Sequence, residues 1–167
     1  MNRFKLYSAF NILLLMILVS HSQAAQAERY QMTVLPYKAQ GHLVRDGHYE
    51  DAIRRISLVG NAPFPACTNL CVAHTMTGHL VRAEASCNRA VDAAKLAVKI
   101  GKRRNHDYQA DLVIALSNRG VQRTRAGDLT GAEADFREGL AIKPVADLPR
   151  NNLLVLRSEV AYAVIDH

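Results

Sequence analysis

The sequence predicts an all-α protein of stacked helical hairpins, about six or seven helices in all, behind a cleavable leader. Three observations carry this. Alanine occurs 24 times against 10 aromatic residues, 6 Tyr and 4 Phe, a composition that suits closely packed helices better than a β-sandwich. A stretch of 19 residues recurs without gaps, from Asn69–Cys87 to Asn118–Phe136. Apolar residues elsewhere keep helical spacing. At 167 residues and 49% hydrophobic content the chain suits one modest domain or a short repeat array, and it is too apolar to remain disordered.

The first element is an address. Arg3 and Lys5 precede an apolar run from Leu6 to Val19, and Ala25 and Ala27 supply the small residues of an A-x-A cleavage site before Glu28. A run of about 14 residues is shorter than the roughly 20 needed to span a bilayer. The expectation is a signal peptide over residues 1–27, with the mature chain periplasmic or secreted and without a membrane span. Removing Arg3 and Lys5 reduces the formal charge from +6 to +4. Basicity therefore says little about partners, and no nucleic acid is expected. Residues 28–40 read as an N-terminal extension, followed by a helical repeat domain over residues 41–166.

The repeats come next, near residues 41–60, 64–100 and 107–144. The two full copies share Asn, Val, Thr, Gly, Leu, Ala, Glu and Ala at equivalent places, and Gly47, Tyr49, Ala52 and Ile56 form a partial third. Gly47, Gly78 and Gly127 end a first helix where a left-handed backbone is required. Ala52, Ala83 and Ala132 let the second helix approach closely, and Ile56, Cys87 and Phe136 lie one turn further along the same face. The turn glycines are 31 and 49 residues apart, so the middle repeat carries extra length. Its second helix should run to about Ile100, and Asp107 should cap a long helix after the basic turn at Lys102, Arg103 and Arg104. Pro144 and Pro149 close the last repeat, leaving a capping helix over about residues 150–165.

The last copy, with Leu116, Gly120, Gly127, Asp128, Ala132, Phe136 and Pro144, resembles the tetratricopeptide repeat. It departs from that pattern at Arg123, where the family usually has an aromatic, and the middle copy departs at Cys87, which stands in place of Phe. The resemblance implies a right-handed solenoid whose first helices line a concave groove that binds a peptide or partner protein. It also implies that an Asn at the places of Asn69 and Asn118 bonds ligand backbone. The groove residues so implied are Asn69, Val72, Thr75 and Met76 from one repeat, and Asn118, Val121 and Arg125 from the other.

Residues with other chemistry are few. Cys67, Cys71 and Cys87 in an exported chain raise a disulfide. Counting outward from Gly78 brings Cys67 nearest Cys87, with Cys71 to Cys87 next and buried free thiols the alternative. The same cysteines with His74 and His79 do not have the spacing of a zinc or haem site, and no metal or other cofactor is expected. Glu133, Asp135 and Glu138 read as a solvated helix face. No nucleophile elbow, phosphate loop or paired acid is present, so the chain reads as a non-catalytic binding module. The capping helix, apolar on more than one stripe, offers an alternative role in self-association as a homodimer.

Overall fold

The computed structural model describes residues 30–57, 62–101 and 106–165; the predicted leader, its cleavage site and the basic residues 102–104 lie outside the described residues. Every element among the described residues is a helix. There are seven: α1 (Gly41–Arg45), α2 (Tyr49–Ser57), α3 (Phe64–Met76), α4 (Leu80–Ile100), α5 (Tyr108–Arg125), α6 (Leu129–Ile142) and α7 (Asp147–Ile165). No helix among them is long and apolar enough to cross a membrane.

The helix ends follow from local chemistry. Gly47, Gly78 and Gly127 have φ of 83°, 74° and 84°. After each, the next N–H reaches back to a carbonyl five residues earlier: His48 to Leu43 at 2.8 Å, His79 to His74 at 3.0 Å and Asp128 to Arg123 at 2.9 Å. These backward bonds satisfy carbonyls that a helix end leaves open, and they require the left-handed residue between. One turn geometry thus occurs three times. Asp107 and Asp128 cap α5 and α6 by accepting from Ala110 N–H and Gly131 N–H, each at 2.9 Å. The capping helix begins earlier than expected, at Asp147 rather than near Asn151, because Pro149 falls in the first helical turn, where its missing N–H has no intrahelical partner to lose.

Each helix packs against the next along the chain, and the odd-numbered helices also touch in succession, α1 to α3, α3 to α5 and α5 to α7. Among the described residues no two even-numbered helices pack backbone to backbone; α4 and α6 meet through the Lys95–Glu138 ion pair at 2.9 Å. The odd helices therefore form a continuous row. Two buried clusters tie the row to its neighbours. Val44, Ala52, Ile53, Ile56, Ala66 and Leu70 join α1, α2 and α3. Cys67, Ala90, Val91, Ala94, Leu112, Ala115 and Leu116 join α3, α4 and α5.

Two sequence expectations are corrected here. The disulfide joins Cys71 to Cys87, with Cα atoms 4.7 Å apart, and not Cys67 to Cys87. Cys67 lies a full turn, roughly 6 Å, further along α3, level with Val91 and Ala94 of α4, and its thiol donates to Ala62 O at 3.2 Å. Burial pushes the Cys67 thiol up from its ordinary pKa. Asp135 is not on a solvated face: it is 2% exposed and accepts two hydrogen bonds from Arg119, at 2.6 and 2.9 Å. Arg123 Nη1 approaches it at 3.1 Å. The arginine that stands where an aromatic was expected thus helps pin α5 to α6 through charge.

Candidate functional site

Residues 31–35 run extended, without helix or turn, across the row of odd helices. Three asparagines hold them, one from each of three helices. Asn152 on α7 accepts from Gln31 N–H at 2.8 Å and donates to Gln31 O at 2.8 Å. Asn118 on α5 accepts from Thr33 N–H at 2.8 Å and donates to Thr33 O at 2.9 Å. Asn69 on α3 accepts from Leu35 N–H at 2.9 Å and donates to Leu35 O at 3.2 Å. Each amide closes a two-bond ring with one residue's N–H and C=O, using the fact that Asn can donate and accept together.

The ladder follows from the repeat. Asn69 and Asn118 each stand nine residues before their turn glycine, and Asn152 follows Asn118 by 34 residues. Equivalent positions on successive helices present their amides in a row. An extended chain advances about 6.7 Å for every two residues, so alternate residues meet successive amides. All three asparagines are fully buried, and their rings leave none of these backbone groups unpaired. The residues between the rungs, Met32 and Val34, pack against the first core cluster.

A tight connection ties this segment to α1. Lys38 N–H bonds Leu35 O at 3.1 Å, and the Asn69 amide also faces Lys38 O at 2.8 Å and Ala39 O at 3.2 Å. Ala39 and Gln40 both have left-handed backbones, φ 44° and 59°, which costs non-glycine residues roughly 1–2 kcal/mol each. Gly41 is required by close approach: a Cβ there would stand 2.0 Å from Leu35 O and 2.7 Å from Asn69 Nδ2.

The remaining groove residues expected from the sequence fall into two groups. Val72 and Val121 are buried, Val72 within the first core cluster. Thr75, Met76 and Arg125 meet at the far ends of α3 and α5. Arg125 Nη1 donates to Thr75 O at 3.0 Å, and its Nη2 lies 3.6 Å from Met76 Sδ, while the Thr75 hydroxyl bonds its own helix at Cys71 O. Burial lowers the Arg125 pKa from its ordinary value, but the group is a cation at any physiological pH. The structure thus brings Asn69 and Asn118 onto one extended segment and places the other five in the surrounding framework.

No family model, curated protein or solved structure matches the chain. What this arrangement can do rests on its own chemistry. The ladder bonds main chain, at every second residue of the segment. The sequence reading missed Asn152 and the segment 31–35. The 34-residue step from Asn118 was a signal for the first; nothing in the segment's own sequence signalled the second. Among the described residues no group of three or more His, Cys, Asp or Glu could hold a metal ion. Two of the candidate thiols are consumed by the disulfide. His74 and His79 stack edge to face at 5.9 Å.

Proposed function

We propose that the chain is an exported, non-catalytic binding module of tetratricopeptide type, a right-handed solenoid whose inner groove takes an extended segment of polypeptide. The observation that carries this reading is the asparagine ladder, which holds an extended segment by main-chain bonds alone. Its geometry also supports a concave inner face. Neighbouring helices sit about 8–10 Å apart, whereas the rungs meet residues spaced about 6.7 Å apart, so the amide tips must converge. The thrice-repeated turn and the inner row of odd helices suit stacked hairpins that cannot bury their apolar faces alone. The partner is a protein or peptide, not nucleic acid, and the leader puts the encounter outside the cytoplasm. The test is crosslinking capture from the native envelope fraction with the unaltered chain and with an Asn69→Ala, Asn118→Ala double variant. Capture should fall sharply in the variant; capture of the same proteins at the same level would overturn the groove assignment.

A second reading has its own observation. Leu129, Leu156 and Val160 line a cleft of about 600 Å³ between α6 and α7, and Leu154 and Tyr162 are exposed on the same capping helix. A homodimer through α7 would cover these apolar side chains. Light scattering should then give twice the mass of the mature chain, and Val160→Glu should restore the monomer.

A further inference from the structure

The occupant of the groove is part of this chain, which defines both the ligand the groove accepts and what controls access to it. The three rings touch only N–H and C=O of Gln31, Thr33 and Leu35. These bonds exclude proline at those three places, since proline has no N–H to offer, and make no demand on the side chain. The two places between carry Met32 and Val34, which pack against the buried cluster of α1, α2 and α3. The groove therefore reads an alternation: main chain at the first, third and fifth residues, and apolar side chains at the second and fourth. The direction is set as well, with the N-terminal end over α7 and the C-terminal end over α3.

Two features bear on whether the resident segment can be exchanged. Its tether is short, so its effective concentration at the groove is high, on the order of millimolar for a flexible link of this kind. The same tether is strained, with left-handed backbones at Ala39 and Gln40 that a separate peptide need not adopt. A short connection under strain favours exchange of the element it carries. Resting on the peptide-groove reading above, we propose that residues 31–35 are a resident competitor in a strand-binding site. The ligand displacing them is an extended peptide segment with apolar side chains at its second and fourth positions and no proline at its first, third or fifth. Binding then requires release of the resident segment, and the groove opens only to a partner that matches its pattern.

The probe is a fluorescein-labelled peptide with the sequence of residues 30–38, titrated by fluorescence anisotropy into the full chain and into its Thr33→Pro variant. That substitution removes the N–H that Asn118 accepts and leaves every helix unaltered. The variant should bind the probe at least tenfold more tightly than the unaltered chain. Adding Asn118→Ala should reverse the gain, and a probe carrying proline at the place of Thr33 should not bind. Equal affinity for the unaltered chain and Thr33→Pro would remove the competitor role while leaving the peptide groove standing. Binding to neither, with circular dichroism showing intact helices and hydrogen exchange showing residues 31–35 released, would overturn the groove reading itself. A doubled mass that Thr33→Pro abolishes would assign the groove to the segment of a second copy and overturn a separate peptide partner. If Thr33→Pro does not fold, Gln31→Pro removes the N–H that Asn152 accepts while leaving the groove side chains unaltered, and is read in the same way.

Discussion

At the scale of single residues, the buried amides hold the extended segment. Removing one rung should be costly because it leaves two buried main-chain groups without partners. Asn118→Ala strips both Thr33 N–H and Thr33 O of their bonds, and the expected loss is about 1–3 kcal/mol in urea unfolding. His74 adds a dependence on pH. It is buried on α3 with no partner for Nδ1, and burial, helped by His79 and Arg82, lowers its pKa below the ordinary value of 6.5. The unfolded chain therefore takes up the proton first as pH falls. Stability present above pH 6.5 should decline below it until the folded-state pKa is passed. His74→Gln, measured by denaturant unfolding between pH 7.5 and 5, should flatten this decline.

At the scale of elements, two links join adjacent helices. The Cys71–Cys87 bridge between α3 and α4 closes a loop with a sequence separation of 16 residues, and constraining an unfolded chain by such a loop is worth about 3 kcal/mol. Thiol titration of the denatured, unreduced protein should find one free thiol, Cys67, and reduction should raise the count to three; Cys71→Ala should lower the unfolding free energy by about that 3 kcal/mol. Between α5 and α6 the link is ionic. Asp135 holds Arg119 while buried; burial works to lower the Arg119 pKa, but the hydrogen bond and attraction from Asp135, with Glu138 and Asp92 adding to them, raise it. Truncating one partner of such a pair leaves the other's charge uncompensated. Asp135→Ala should cost about 3 kcal/mol, read as a lowered denaturant midpoint. Neither link was legible from the repeat pattern, which compares positions along the chain: the cysteine pairing depends on the axial offset of two helices, and Asp135 resembles its solvated neighbours until α5 is packed beside it.

At the scale of the whole molecule, one extended segment joins three helices that lie 34 to 121 residues away in sequence. Docking as a unit should leave an alternating signature. Hydrogen exchange followed by NMR should show slow amides at Gln31, Thr33 and Leu35, and faster ones at Met32 and Val34, whose N–H groups the ladder does not engage. Uniformly fast exchange would mean that the segment spends its time off the groove. The resemblance to the tetratricopeptide repeat already implied a backbone-bonding amide at Asn118. What it would bond was not legible, because the residues that meet it carry no motif.

The helical class, the three glycine turns, the cap at Asp107 and the periodic placement of two of the three asparagines were already legible in the sequence. These depend on neighbours within a few residues, or on a pattern that repeats along the chain. The cysteine pairing, the burial of Asp135 and the occupation of the ladder by residues 31–35 came with the packing of the helices. Those outcomes depend on which surfaces meet after the helices stack. An extended segment with no helix of its own bonds wherever packed helices leave matching donors and acceptors, and that complementarity exists only once all three helices are in place.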